Sequence, residues 1–140
     1  MEMKKSGISI AVPEGWEDQT IYTFKGPDDS GIQHNLIVQV DPELDTDDLF
    51  TYSQQRIQAL KDSLPGFELL SETERKLKSG LMGYDAVFKW VPSEGKVIFQ
   101  KQVYVISGGK AYCFTASFSK HTLKTIGCDV DAMIDSFSAG

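Results

Sequence analysis

Histidine, cysteine and aspartate are the residues of this chain whose chemistry could serve a reaction or a metal site. His34 and His121 are the two histidines, and neither belongs to an HExxH pattern, so they do not provide the usual ligands of zinc. Cys113 lies inside a predicted strand, where a free cysteine packs as a small apolar side chain. Cys128 stands beside Asp129, and neither thiol has a neighbouring base of the kind that activates a nucleophile.

The acidic groups fit turns and helix starts better than they fit a cation site. Asp129 and Asp131 form a DxD pair, but no EF-hand glycine or terminal glutamate follows them. Asp28 and Asp29 follow Gly-Pro in a predicted turn, and the acidic run 45–48 suits the first turn of a helix. The chain also lacks glycine-rich phosphate loops and the GxSxG nucleophile motif. We therefore predict no enzyme activity, no metal and no cofactor.

Two glutamines in the stretch VIFQKQVYVI (97–106) are the polar groups that point to a binding surface. Side chains of a strand alternate between its faces. One face of this strand carries Val97, Phe99, Lys101, Val103 and Val105, and the other carries Ile98, Gln100, Gln102, Tyr104 and Ile106. The second face is therefore apolar with two amides set into it. Each amide offers two donors and one acceptor, and an apolar surface with a few placed polar groups is typical of a binding site.

Turn signals and hydrophobic periodicity define the elements that position these residues in a single domain, 1–140. Alternating stretches predict strands over 7–12, 19–25, 33–40, 67–77, 84–91, 96–106 and 110–118. Helical stripes predict helices over 45–64, which ends at Pro65-Gly66, and over 123–137. Short hairpin turns between the later strands predict an antiparallel meander. The fold class is therefore α+β, with a sheet of about six to seven strands and helices packed on one face.

Composition excludes several classes of partner. The net charge is −6 and the pI is about 4.8, which disfavours nucleic acid and anionic lipid. The N-terminal stretch resembles no signal peptide, and no apolar run approaches the ~20 residues that span a bilayer. We therefore expect a cytoplasmic chain with reduced cysteines, with no direct membrane anchoring and no nucleic-acid partner.

The alternation also predicts which face of the sheet the helices leave open. Leu36, Val38 and Val40 form a purely aliphatic set, which we expect beneath the helices together with Phe99, Val103 and Val105. The far face then carries Ile37, Gln39, Ile98, Gln100, Gln102 and Tyr104, joined by Tyr22 and Phe24. The orientation of strand 19–25 stays open because both of its faces are mixed. An exposed apolar face indicates a groove for an apolar helix or peptide, unless a loop or a second copy of the chain covers it.

Five stretches resemble one known family in order along the chain: VPEGWEDQTIYTF (12–24), LPGFELL (64–70), GYDAVFKW (83–90), QKQVYVI (100–106) and MIDSF (133–137). They resemble the DcrB-like family and, within it, the cytoplasmic Eag chaperones, which are adaptors of type VI secretion effectors. The resemblance implies a Mog1/PsbP-like fold, in which helices pack on a curved antiparallel sheet, and it implies a homodimer. It also implies that the chain holds transmembrane helices of a toxin effector before export.

The same resemblance carries over to individual positions. Family members use apolar residues and glutamines on a concave sheet face, and Gln100 and Gln102 lie in the matching strand. Tyr22 and Phe24 follow the Gly-Trp motif, where smaller aliphatic residues are expected, so these aromatics depart from the pattern. The alternative function is a non-catalytic Mog1/PsbP-like domain that binds a small ligand or a folded partner protein. That alternative requires a deep closed pocket or a flat polar face.

Overall fold

A six-stranded antiparallel sheet with two helices forms the fold, and the computed structural model describes residues 10–16, 20–29, 32–42 and 44–139. Along the chain the elements are β1 (Tyr22–Asp29), β2 (Ile32–Asp41), α1 (Leu49–Ser63), β3 (Glu68–Lys76), β4 (Met82–Ser93), β5 (Lys96–Ser107), β6 (Lys110–Phe118) and α2 (Ile126–Asp135). The strands lie in the order β1-β2-β6-β5-β4-β3, and the sheet is curved. The predicted α+β class is thus confirmed.

The N-terminal part of the chain differs most from the predicted elements. Residues 7–9 of the strand predicted over 7–12 lie outside the described residues, and residues 10–12 form no strand. β1 begins at Tyr22 and continues through Gly26 and Pro27, where a turn was predicted. The pairing of β1 with β2 shifts between Lys25 and Asp28. β1 is an edge strand, and proline is tolerated there because no neighbour needs its missing N–H.

Local capping sets both ends of α1. Asp48 caps the N-terminus, because its Oδ2 accepts a hydrogen bond from the backbone N–H of Thr51 at 3.0 Å. The helix ends before Pro65 and Gly66, as predicted. Gly66 adopts a φ of +66°, and a Cβ at this position would lie 2.9 Å from Cγ2 of Val91. Glycine is therefore required both by the backbone conformation and by the close approach to β4.

The two helices pack on opposite faces of the sheet, which corrects the expectation that both cover one face. α1 packs Tyr52 and Ile57 against a patch on the face that carries Gln102, and this patch consists of Tyr84, Ala86, Tyr104, Ala111 and Cys113. We call this face the amide face. α2 packs on the other face, which we call the α2 face. The reason is that tyrosines from two adjacent strands make one end of the amide face strongly apolar, so that end also needs a helix to cover it.

The α2 face holds the larger core, and the aliphatic residues predicted for it lie there. Leu36, Val38, Val103 and Val105 are buried, and Phe99 is partly buried against the same cluster. Val40, which was predicted with them, is half-buried and lies outside the cluster. The other buried members of the cluster are Leu77, Phe114, Ala116, Phe118, Val130 and Ile134. The alternation in β2 and β5 therefore predicted this core correctly except for Val40, although only α2 covers it.

A charged cluster ties α2 to the sheet. Arg75 of β3 donates from Nε to Oδ1 of Asp85 at 2.8 Å and from Nη2 to Oδ2 of Asp85 at 2.5 Å. Arg75 also donates to Oδ1 of Asp131 at 2.7 Å, and Nζ of Lys101 donates to the same oxygen at 2.8 Å. Burial alone would raise the pKa of Asp131, but the hydrogen bonds from Lys101 and Arg75 outweigh it and lower that pKa. α2 is thus held by charge as well as by apolar packing.

We predict that this cluster makes stability fall in acid. A carboxyl whose pKa is lower in the folded than in the unfolded state stabilises the fold at every pH above its unfolded pKa, which is 3.8 for Asp131. This stabilisation is lost as the pH falls through the pKa of the folded state. The melting temperature should therefore drop as the pH falls from about 5 to about 2, which brackets the usual aspartate range. Asp131→Asn should make this drop shallower. An equally steep drop in the variant would show that Asp131 contributes nothing to it.

Candidate functional site

Part of the amide face is left uncovered by α1, and cross-strand pairing shows which residues meet there. Gln102 of β5 lies opposite Thr115 of β6, Thr115 lies opposite Ile37 of β2, and Ile37 lies opposite Thr23 of β1. In the neighbouring rows Gln100 lies opposite Ser117, and Trp90 lies opposite Ile98. All of these side chains are half-buried or exposed except Gln102, which is mostly buried. We call these eight residues the open strip.

A hydrogen-bonded chain of side chains crosses one end of the open strip. Nε1 of Trp90 donates to Oε1 of Gln100 at 2.8 Å, and Nε2 of Gln100 donates to Oγ of Ser117 at 2.8 Å. The chain joins β4, β5 and β6, and it uses the carbonyl and one N–H of the Gln100 amide. Gln100 is therefore held in place, and it retains one N–H for another partner.

Gln102 is held differently, and it presents donors to the surface. The hydroxyl of Tyr104 donates to Oε1 of Gln102 at 2.5 Å. Tyr104 is fully buried, and burial raises its pKa, so its hydroxyl keeps the proton that it donates. Nε2 of Gln102 has no hydrogen-bond partner among the described residues, yet none of their buried side-chain polar atoms is left unpaired. The amide nitrogen is therefore not fully enclosed, and its N–H groups have no partner among the described residues.

The structure brings together half of the residues predicted for the groove. Ile37, Ile98, Gln100 and Gln102 all lie in the open strip. Their function as binding residues stays a prediction, but their common face is observed.

Gln39 and Tyr104 share the amide face but lie outside the open strip. Gln39 is exposed and lies opposite Cys113, beside a cavity of about 400 Å³ that Arg56 also lines. Tyr104 lies beneath α1, with its ring centroid 6.1 Å from that of Tyr52. Tyr104 therefore cannot contact a guest directly, and its contribution is to orient the amide of Gln102.

Tyr22 and Phe24 lie on the opposite face from the open strip, which corrects their predicted position. Tyr22 pairs with Val38 and Phe24 pairs with Leu36, so both aromatic rings lie on the α2 face. Phe24 packs against the α2 core. The register of β1 against β2 places Thr23 on the amide face instead. Packing against the α2 core explains why an aromatic residue stands at Phe24, where a smaller one was expected, whereas Tyr22 on the same face is 42% exposed.

Sequence reasoning missed Thr23, Trp90, Thr115 and Ser117. A signal existed for the last two, because in KAYCFTASF (110–118) they alternate with the buried Phe114, Ala116 and Phe118. What the sequence could not supply was the pairing of β6 with β2, which are far apart along the chain. Without that pairing, Thr115 and Ser117 cannot be assigned to the same surface as Gln102.

The described part of the chain contains no group of three or more His, Cys, Asp or Glu residues that could hold a metal ion. Cys113 is buried, which raises the pKa of its thiol, and Cys128 is exposed; both are free. Within the same residues, no helix has the length and apolarity needed to cross a membrane. The side chains of the open strip themselves offer apolar contacts and hydrogen bonds.

A protein-family model described as DcrB matches residues 8–136. No curated protein matches the chain. Among solved structures, a Pseudomonas aeruginosa protein, PA94, described as a protein of unknown function and putative regulator, is similar with a TM-score of 0.79 and 18% identity. That similarity covers 92% of this chain and 89% of the other.

Two further structures share the fold. Cyanobacterial PsbP from Synechocystis is similar with a TM-score of 0.59 and 14% identity, over 94% of this chain and 99% of that one. LpqN of Mycobacterium tuberculosis, described as involved in cell envelope biogenesis, has a TM-score of 0.53 and 20% identity, over 80% and 65% of the two chains. At these identities the likeness shows a common PsbP-like fold and no more.

Proposed function

The chain belongs to the DcrB family, and we propose from this premise that it is a chaperone and adaptor of type VI secretion. In this proposal it binds apolar transmembrane helices of an effector before export and keeps them from aggregating. The secretion system rests on the resemblance of the five sequence stretches to the Eag chaperones. The mode of binding rests on the open strip.

The observation that carries the proposal is the mixed chemistry of the open strip. Trp90, Ile98 and Ile37 supply partly exposed apolar surface, and Gln102 supplies two unpaired N–H groups among them. A soluble domain with no partner would gain nothing from such an arrangement. An apolar guest that carries an occasional hydrogen-bond acceptor satisfies both parts of the surface.

The dimensions of the open strip suit one helix. From β4 to β1 the strip crosses five neighbouring strands, which places its outer strands about 19 Å apart at the usual strand spacing. A helix with its side chains is about 10–12 Å wide. One helix can therefore lie on the strip with α1 as a wall on one side. We propose that the protein acts in the cytoplasm as a homodimer without catalysis, and that its net charge of −6 keeps the loaded complex soluble.

We predict that removing the Gln102 amide weakens binding of a helix that carries an acceptor. The comparison is between Tyr104→Phe and the double variant Tyr104→Phe/Gln102→Leu, because neither leaves a buried hydroxyl unpaired. The probe is a synthetic leucine–alanine helix with one central serine. The double variant should bind it roughly 5- to 150-fold more weakly, since an unpaired buried polar group costs about 1–3 kcal/mol.

The same helix with alanine in place of serine is the control, and it should bind both variants alike. Equal affinity of the two variants for the serine helix would contradict the role of Gln102. The single change Gln102→Ala is a poor test, because it also removes the acceptor of the buried Tyr104 hydroxyl and so destabilises the fold. Lys101→Ala is a poor control because Lys101 is part of the charged cluster, so its removal also destabilises the fold.

A further inference from the structure

The two side-chain amides of the open strip use their oxygens within the protein and keep donors for a guest. The indole N–H of Trp90 can only donate, so the amide of Gln100 must meet it with Oε1, which accepts this bond at 2.8 Å. Oε1 of Gln102 accepts a hydrogen bond from the buried Tyr104. One N–H of Gln100 bonds to Ser117, which leaves one N–H of Gln100 and both N–H groups of Gln102 without a partner among the described residues.

These three N–H groups belong to neighbouring positions of one strand face. Gln100 and Gln102 are two residues apart on the same face of β5, so their Cα atoms are about 7 Å apart. This distance is little more than the pitch of a helix, which is about 5.4 Å. A guest that covers the two amides removes water from them, and a donor that is buried without an acceptor weakens binding. The guest therefore needs a hydrogen-bond acceptor within about one turn of its helix.

A proline in an apolar helix supplies such an acceptor. In an unbroken helix every interior carbonyl already accepts from the N–H four residues further on. Proline has no N–H, so the carbonyl four residues before it loses its donor and has two lone pairs available. A serine hydroxyl suits the amides less well, because it brings a donor of its own and often bonds to the carbonyl of the preceding turn. Proline is also more frequent in transmembrane helices than in helices of soluble proteins.

We infer that the open strip binds preferentially those apolar helices that a proline interrupts, and that the freed carbonyl accepts hydrogen bonds from Gln102 and Gln100. The inference rests on the proposed function, because it names which helices the strip selects. In a membrane a carbonyl freed by proline is satisfied by neighbouring helices, hydroxyl side chains or ordered water. On the strip the two amides take that part, while Ile37, Ile98 and Trp90 contact the apolar side chains of the guest.

The test is a cycle of changes in the chain and in the guest. Two leucine–alanine helices of the same composition each contain one proline, which stands at the centre of one helix and in the first turn of the other, where it frees no carbonyl. Both are titrated into Tyr104→Phe and into Tyr104→Phe/Gln102→Leu. Replacing Gln102 should weaken binding of the central-proline helix roughly 5- to 150-fold, because the freed carbonyl loses its donor. It should not weaken binding of the first-turn helix, which is the matched control.

Each peptide is compared with itself across the two variants, so a difference in helix content between the peptides cancels. If the replacement of Gln102 weakens both proline helices equally, or weakens only the serine helix, the inference is wrong although the strip still binds apolar helices. If neither the proline helices nor the serine helix bind the unchanged chain, the proposed function fails and the inference fails with it.

Discussion

Ile37→Arg is expected to abolish binding of an apolar helix while the sheet stays folded. Ile37 lies in the middle of the open strip between Thr23 and Thr115, and it is half-buried, so the fold can accept a long side chain that extends into solvent. A guest lying on the strip would enclose the guanidinium without a partner. Because an unpaired buried charge costs several kcal/mol, the affinity should fall at least about 100-fold. Titration of the leucine–alanine helix into the Ile37→Arg variant and into the unchanged chain measures this difference in affinity.

Tyr22→Arg is the matched control for this change. Tyr22 lies next to Thr23 in β1 and is 42% exposed, but it lies on the α2 face. The same charge placed there should leave guest affinity within a few-fold of the original. If Tyr22→Arg and Ile37→Arg weaken binding equally, then the guest does not lie on the open strip.

Arg75→Met should have the largest effect on stability. Asp85 is 4% exposed, and its carboxylate receives two hydrogen bonds from Arg75, while Lys101 is 3.8 Å away. Removing Arg75 leaves a buried carboxylate with one distant cation, and breaking a buried pair in this way costs about 3–5 kcal/mol. The melting temperature should fall by roughly 10 °C or more for a domain of this size. Guest affinity at low temperature should be unchanged, because the cluster lies on the α2 face.

Lys89→Met is the control for the loss of a cation from a strand. Lys89 pairs with Glu68 at 3.3 Å, but both side chains are exposed to solvent. Surface pairs contribute about 0–1 kcal/mol, so this variant should melt within a few degrees of the original. Similar melting temperatures for Arg75→Met and Lys89→Met would show that the charged cluster does not hold α2 in place.

Local periodicity predicted the features that depend on neighbours along the chain. Alternation within β5 placed Gln100 and Gln102 on one face and Val103 and Val105 on the other, and both placements are observed. The helix predicted over 45–64 is observed at Leu49–Ser63, and its apolar stripe and Pro65-Gly66 gave its existence and its end. Each of these signals is a pattern within one element. Such a pattern predicts the structure correctly because each element buries one of its sides.

The errors arose where the answer depends on contacts between distant elements. The face of Tyr22 and Phe24 is set by the register of β1 against β2, and both faces of β1 are too mixed to reveal it. The cover over Tyr104 is set by where α1 docks, and an apolar stripe does not say which side of a sheet it meets. The hydrogen bond between Tyr104 and Gln102 could have been predicted from the sequence, because Tyr104 is two residues away on the same face and its hydroxyl can reach the amide.

Coexpression of the chain with an effector that carries apolar N-terminal helices tests the proposed chaperone function. We expect the full effector to be soluble only with the chain and to co-purify with it, and an effector without the helices to be soluble but no longer bound. Ile37→Arg should reproduce the loss of binding with the full effector, and Tyr22→Arg should not. If the effector without its apolar helices still co-purifies with the chain, the chain recognises another part of the effector and the proposed function is wrong.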